Sequence, residues 1–124
     1  MKFTLDSRDD INLIRGYAPG EVRIGEQVLH TPCIVAAHQL IAQWPACGAA
    51  TLAPEDLAPI FELQPDVVLL GTGTRQTFPP GAVRQAFAAR NVGLEVMDLG
   101  AACRTYNILV QEERRVVAAL FPAG

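Results

Sequence analysis

The chain has 124 residues, of which half are apolar, and its formal net charge is −3. That length and apolar content predict one globular domain spanning residues 1–124. Because no basic run occurs, we do not expect a nucleic-acid partner. No apolar run approaches the roughly 20 residues needed to cross a bilayer, and the first residues have no signal-peptide core. We therefore expect a cytoplasmic protein without a membrane span.

The N-terminal third alternates short apolar runs with turn signals, after a polar stretch at residues 1–10 that predicts a loose start. Glycine and proline at the turns favour hairpins, so the apolar runs are predicted to form an antiparallel meander. The predicted strands are 11–17, 22–24, 27–30 and 33–37. Residues 39–44 form either a helical turn or a connecting segment.

From residue 54 onward, strand-like and helix-like runs alternate, which is the pattern of an α/β layer structure. The predicted strands are 66–70, 92–97 and 116–121, and the predicted helices are 55–63, 80–90 and 99–113. Asp98 is placed to cap the last helix, and Asn91 to end the helix before it. The predicted architecture is a three-layer single domain with a mixed central β-sheet, helices packed on it and an N-terminal antiparallel meander.

The first candidate site is the run Gly71, Thr72, Gly73 and Thr74, which follows a predicted strand. Glycine lets backbone N–H groups approach an anion, and threonine adds hydroxyl donors. Ligands of open α/β sheets favour this position at the carboxyl end of a strand. The run lacks the third glycine of a dinucleotide fingerprint and the Gly-Lys-Ser/Thr of a P-loop. A structural turn is therefore favoured over a pocket wall.

The second candidate site is the helix start after Asp98, where an anion can bind. Cys103, Arg104 and Asn107 follow within its first turns. A cysteine at such a position can have a lowered pKa, but neither histidine is placed nearby as a base, so packing of Cys103 is favoured and no catalytic residue is assigned. Arg104 points away from the core, where it can pair with Glu95 or Asp98 or bind a partner's carboxylate.

The cysteines and histidines predict neither a disulfide nor a metal site. The three cysteines, Cys33, Cys47 and Cys103, are odd in number and widely spaced. His30, Cys33 and His38 are metal-ligand types, but their spacing fits no standard zinc site. We therefore expect no metal and no cofactor.

Several blocks of the sequence resemble those of one known family. These blocks are Leu69–Gly73, Phe78–Pro80, Gly93–Asp98, Ala101–Asn107 and Glu113–Leu120. The family is a domain-of-unknown-function family of small bacterial and archaeal proteins, and its mitochondrial member is a complex I assembly factor. The resemblance implies a three-layer fold with a mixed central sheet, no established reaction and, for the mitochondrial member, partner binding. Where the family usually has Ser or Thr before the first helix, this chain has Ala53, so we expect that helix to fray.

Two hypotheses about function follow. The first is a non-enzymatic interaction or assembly protein with an unidentified protein partner. Its predicted partner surface is Arg104, Ile108, Gln111 and Arg115, since Ile108 is apolar on an otherwise polar helix face. The second is a small-molecule or anion site, with or without catalysis, between the Gly71–Thr74 turn and the helix after Asp98. Formation of a homo-oligomer stays open under both hypotheses.

Overall fold

The computed structural model describes residues 10–124, which form two β-sheets and three α-helices. The loose start predicted for residues 1–10 lies outside this range, except for Asp10. The first residues, which we expected to lack a signal-peptide core, lie outside it as well. The strands are β1 (Ile14–Ala18), β2 (Glu21–Ile24), β3 (Gln27–Leu29), β4 (Cys33–Ala36), β5 (Gln39–Ile41), β6 (Val67–Thr72), β7 (Gly93–Met97) and β8 (Val116–Phe121). The helices are α1 (Ala58–Phe61), α2 (Gly81–Ala89) and α3 (Leu99–Gln111), and a 3-10 helix covers Pro54–Leu57.

Strands β1, β2 and β3 form an antiparallel sheet joined by two tight turns. Gly20 and Gly25 occupy these turns with φ angles of 84° and 58°, a left-handed backbone conformation that glycine adopts without steric cost. Val22 and Ile24 lie on the buried face of this sheet. The antiparallel meander predicted for these three strands is confirmed.

The second sheet is mixed and has five strands in the order β5-β4-β8-β6-β7. Strand β6 runs parallel to β7 and β8, whereas β4 runs antiparallel to β5 and β8. Every residue of β8 is buried, because core clusters pack on both faces of the sheet. Helix α2 and the segment around Trp44 cover one face, and α3 with the three-stranded sheet covers the other. The predicted α/β fold with a mixed central sheet is confirmed.

The predicted meander was extended one strand too far. Strand β4 belongs to the central sheet, where it pairs with β8 and β5. Its residues Cys33, Ile34 and Val35 are all buried, so this strand needs cover on both faces, which a small half-exposed sheet does not give. Residues 39–41 form strand β5, which is neither the helical turn nor the connecting segment predicted there, because the chain doubles back on β4 to make a hairpin.

The predicted helix at residues 55–63 is two short helical segments. A 3-10 helix is followed by α1, in which Pro59 lies in the first turn, where a proline loses no intrahelical hydrogen bond. We expected the first helix to fray at its start after Ala53, but Asp56 forms hydrogen bonds there. The Asp56 carboxylate accepts a hydrogen bond from the Ala53 N–H at 2.9 Å, and the Asp56 N–H donates to the Ala53 carbonyl at 2.9 Å, so both groups are bonded without a side-chain oxygen at position 53.

Candidate functional site

Helix α3 starts beside the end of β6, and its first N–H groups are bonded within the chain. Asp98 Oδ1 accepts a hydrogen bond from the Ala101 N–H at 2.8 Å, so the predicted N-cap is confirmed. The Leu99 N–H donates to the Gly73 carbonyl at 2.7 Å. Two of the N–H groups that a helix start leaves open are therefore occupied by the protein itself. This lowers the capacity of the helix start to bind an anion.

The two glycines of the predicted Gly71–Thr74 site allow close packing of backbone. A Cβ atom on Gly71 would lie 2.9 Å from the Ala102 side chain, so its absence lets α3 lie close to the sheet. Gly73 has a φ angle of 73°, and a Cβ atom there would lie 2.7 Å from the Gly124 nitrogen. Gly73 therefore agrees with a structural turn, whereas Gly71 lies within strand β6 and serves the packing of α3 on the sheet.

Thr72 is buried, and its hydroxyl is used within the same turn. It donates a hydrogen bond to the Arg75 carbonyl at 2.7 Å and accepts one from the Thr77 N–H at 2.9 Å. Thr74 is exposed. Of the four residues in this run, Gly73 and Thr74 are the ones that line a cavity.

An open pocket of about 300 Å³ lies where the loop after β6 meets the start of α3. Four predicted site residues line it, namely Gly73, Thr74, Asp98 and Arg104. The end of β1 supplies the facing wall, which the sequence did not predict, with Tyr17, Ala18 and Pro19. The structure thus brings the two predicted segments together in one concave surface.

Cys103 does not line this pocket. Its side chain is 2% exposed and lies in the core between α3 and the sheet, in the same cluster as Cys33. The pKa of the Cys103 thiol is raised to about 12, chiefly by burial and also by neighbouring Cys33, while Arg104 opposes the rise. The thiol is protonated at neutral pH, which supports packing over nucleophilic catalysis.

Asn107 is turned away from the pocket, toward strand β1. Its Nδ2 donates to the Ile14 carbonyl at 2.8 Å, and its Oδ1 accepts from the Ile14 N–H at 2.9 Å. The adjacent Tyr106 hydroxyl donates to the Asn12 carbonyl at 2.8 Å, and burial raises the pKa of Tyr106. These bonds hold the three-stranded sheet on α3, and they occupy both polar atoms of the Asn107 side chain.

An exposed stripe runs from the pocket along the outer face of α3. Gly100, Arg104 and Ile108 lie on this face at four-residue spacing, and Ile108 is 58% exposed. The Tyr17 ring lies against Gly100, since a Cβ atom there would be 2.8 Å from the ring. Arg104 Nη1 donates a hydrogen bond to the Tyr17 hydroxyl. We refer to Tyr17, Arg104 and Ile108 as the α3 stripe.

Sequence reasoning missed Tyr17 as a member of this surface. Glu95 and Asp98 were the expected partners of Arg104 within the chain, but its hydrogen bond goes to Tyr17, 87 residues away. The alternation along β1 shows only which face of the strand Tyr17 is on. One indication of this contact was present in the sequence, namely Gly100 in the first turn of α3. A glycine there leaves room on the helix face for a side chain from another part of the chain.

The other two predicted surface residues lie at the end of α3 or beyond it. Gln111 is exposed in the last turn, three residues after Ile108. Arg115 follows the helix, immediately before β8, and its Nη2 lies 3.2 Å from Asp66 Oδ1. Both of these charged side chains are largely exposed, so the ion pair contributes little to stability. Arg115 is therefore outside the helical face that carries the stripe.

A larger cavity of about 590 Å³ lies at the other end of α3. Four separate segments build its walls, including His38 after β4, Leu63 after α1 and Arg114 after α3. The sequence did not predict it, because nothing local connects these segments. Between residues 10 and 124, no group of three or more His, Cys, Asp or Glu side chains is placed to hold a metal ion. Nor is any helix of that range long and apolar enough to span a membrane.

Known proteins resemble this chain in sequence and architecture. The model of a family described as protein of unknown function (DUF498/DUF598) matches residues 14–121. The NADH dehydrogenase [ubiquinone] 1 alpha subcomplex assembly factor 3 of Danio rerio is 31% identical over 112 residues, which cover 89% of this chain and 64% of that protein. The chain thus spans less than two-thirds of the length of this relative.

Two solved structures show the same arrangement of strands and helices. An NMR structure from Xanthomonas campestris is 35% identical, has a TM-score of 0.85, and covers 100% of this chain and 94% of that chain. A Bordetella pertussis protein, described as a Mth938-like domain, is 30% identical with a TM-score of 0.82 and the same coverage of 100% and 94%. The family match, the relative and both structures agree, and the chain belongs to the DUF498/DUF598 family of proteins of unknown function.

Proposed function

We propose that this chain is a non-enzymatic interaction protein that assists the assembly of a protein complex in the cytoplasm. Its relation to the zebrafish assembly factor supports an assembly role. The α3 stripe supports a partner surface, because a tyrosine, an arginine and an exposed isoleucine lie side by side on it. Tyrosine and arginine are among the residue types that most often carry the binding energy of protein interfaces.

The observation that carries the proposal is the exposure of Ile108 next to Arg104. Helix α3 buries its other large apolar side chains wholly or partly against the sheet, whereas Ile108 is 58% exposed. Fully burying an isoleucine side chain is worth about 1.5–3 kcal/mol, so a partner that covers Ile108 gains free energy. A lone exposed apolar residue is ordinary, but this one continues a surface formed by Arg104 and Tyr17.

The polar groups of the neighbouring pocket support an interaction role over catalysis. Of the predicted site residues that can titrate, Asp98 caps α3, and Cys103 is buried in the core outside the pocket. Acid–base catalysis needs titratable groups that face a reacting atom, and these groups are engaged within the fold. The alternative of a small-molecule or anion site in this pocket is therefore the less favoured one.

Affinity capture from the native host, followed by mass spectrometry, tests this proposal. The wild-type bait is compared with an Arg104→Glu, Ile108→Glu bait and with a Val28→Glu bait. Val28, on β3, is 48% exposed and outside the stripe, so it is a matched site for an added charge. We expect a protein that is enriched by the wild-type and Val28→Glu baits and lost from the stripe variant. Equal recovery of a partner by all three baits would refute this surface. If the wild-type bait enriched no protein, the interaction role would be refuted.

A further inference from the structure

The α3 stripe has a defined chemical order along the helix. The Tyr17 ring covers the first turn at Gly100, Arg104 lies one turn further, and Ile108 one turn beyond that. At 1.5 Å per residue, the eight steps from Gly100 to Ile108 span about 12 Å. The surface therefore presents an aromatic ring, a guanidinium and an aliphatic side chain in that order, at intervals of one helical turn.

The charge of Arg104 has no ion-pair partner in the part of the chain that the structure describes. Its polar contact there is one hydrogen bond from Nη1 to the neutral Tyr17 hydroxyl. Asp98 lines the same pocket, but its Oδ1 caps α3, and it makes no ion pair with Arg104. A guanidinium carries five N–H donors in a planar fork, so most of them stay available for a carboxylate, which this fork matches in geometry.

Tyr17 also restricts the position of the guanidinium. Its ring rests against the backbone of Gly100, which places the hydroxyl beside the Arg104 side chain. A side chain held in this way loses less conformational entropy when it binds than one that moves freely in solvent. The structure thus offers a partly ordered cation between two apolar neighbours.

We propose that the α3 stripe binds an amphipathic helix of a partner protein that carries a carboxylate between two apolar side chains, each about one turn away. The carboxylate pairs with Arg104, one apolar side chain packs on Ile108, and the other packs on the Tyr17 ring. This inference rests on the interaction role proposed above and adds the chemistry of the partner. A helix fits because its side chains at four-residue spacing repeat at the interval of the stripe.

Charge and composition favour a protein helix over a nucleic acid. Binding to nucleic acid draws on several cations that neutralise successive phosphates. The stripe has one cation with an apolar group on each side, and the whole chain has a net charge of −3. One carboxylate flanked by apolar side chains complements that pattern without leaving a charge unpaired.

The test uses site-specific photo-crosslinking of the full chain in its native host. A benzoylphenylalanine residue replaces Gln111, which is exposed one turn after Ile108 and leaves the stripe itself intact. A second version carries the same residue at Val28 as the control surface. Mass spectrometry of the crosslinked peptide maps the partner segment. Charge exchange then follows with purified proteins, in which Arg104→Glu is paired with an Asp→Arg or Glu→Arg change in the mapped segment.

We expect the position 111 crosslink to map to a helical segment with an acidic residue between two apolar residues. Arg104→Glu should weaken binding of the purified partner by about 10- to 100-fold, as expected for loss of a charge-assisted contact. The exchanged pair should recover most of that loss. Rising salt should weaken the wild-type complex more than it weakens an Arg104→Gln complex.

Three results would overturn the inference, and they differ in what they say about the interaction role. A mapped partner whose segment lacks an acidic residue, or whose binding is unchanged by Arg104→Glu, refutes the partner chemistry and leaves the interaction role standing. A partner crosslinked from position 28 and not from 111 refutes the stripe as the surface. No crosslinked protein from either position counts against the interaction role itself, and the inference fails with it.

Discussion

The Asn107 side chain on α3 completes both backbone hydrogen bonds of Ile14 on β1. One carboxamide accepts from the N–H and donates to the carbonyl of the same residue, as a neighbouring strand does at a paired position. This contact fixes the three-stranded sheet on the helix. It therefore sets where Tyr17, three residues further along β1, meets the start of α3.

Replacing Asn107 with alanine should destabilise the fold. The change leaves the Ile14 N–H and carbonyl without partners in a partly buried place, at a cost of about 1–3 kcal/mol in the free energy of unfolding. Urea unfolding followed by circular dichroism measures this. Asn107→Asp keeps the acceptor but sets a carboxylate oxygen against the Ile14 carbonyl, so this variant should also be less stable than the wild type. An Asn107→Ala variant as stable as the wild type would contradict this structural role.

Replacing Gly71 with alanine should also destabilise the fold, for a steric reason. The new Cβ atom would lie 2.9 Å from both the Ala102 Cβ and a Leu120 methyl group, so α3 and the sheet would have to move apart. Overpacking of this kind costs about 1–3 kcal/mol. Gly81→Ala is the matched control, because apart from its chain neighbours and the backbone of its own helix no atom lies within 4 Å of its added Cβ. If both variants melted at the same temperature, the close approach of α3 at Gly71 would be wrong.

Replacing Gly100 with alanine should weaken partner binding without lowering the stability of the fold. Alanine favours the helix by about 1 kcal/mol over glycine. Its Cβ atom, however, would lie 2.8 Å from the Tyr17 ring, which is partly exposed and would have to shift away from its place beside Arg104. We expect a free energy of unfolding equal to or above that of the wild type, together with weaker partner capture. Unchanged capture would show that the position of Tyr17 does not matter for binding.

The buried thiols should make the fold less stable in alkali. The pKa values of Cys33 and Cys103 are raised from 9.0 to about 12, in each case chiefly by burial. Above pH 9 the unfolded chain loses these protons while the folded chain keeps them, so stability is complete below pH 9 and falls as the pH rises toward 12. Tyr106, whose pKa is also raised by burial, acts in the same direction.

Urea titrations between pH 8 and pH 10.5 measure this effect. Each thiol contributes a loss of up to about 1.4 kcal/mol per pH unit within the window. Cys103→Ala should make the pH dependence shallower, whereas Cys47→Ala should not, since Cys47 is exposed. Equal slopes for the wild type and Cys103→Ala would show that the Cys103 thiol is not protected.

Elements that depend on nearby residues were predictable from the sequence. The Asp98 cap satisfies an N–H three residues away, and Asn91 ends α2 with a φ angle of 57°, as its stop position requires. Strand β4 was assigned to the wrong sheet, and β5 was not predicted as a strand, because their location depends on β8, near the other end of the chain. A run such as residues 33–35 shows that cover is needed on both faces, but not which strands lie beside it in the sheet.

The residues of the candidate site also fall into those predictable from local sequence and those that depend on distant contacts. Gly73, Asp98 and Arg104 were predicted as candidates because a strand end and a helix start are features of local sequence. Tyr17 reaches the same place only through the packing of the three-stranded sheet on α3. The roles of Asn107 and Gly71 likewise appear only when their distant neighbours are known, since their side-chain bonds and close contacts are all made across the fold.

The most direct test of the α3 stripe is the dissociation constant of the captured partner for three purified baits. These are the wild type, Ile108→Glu and Val28→Glu, each first shown by urea unfolding to be folded. We predict that Ile108→Glu weakens binding at least about 10-fold, in line with the loss of one buried apolar contact and the burial of a charge, while Val28→Glu binds as the wild type does. Equal dissociation constants for the wild type and Ile108→Glu would contradict the proposed surface.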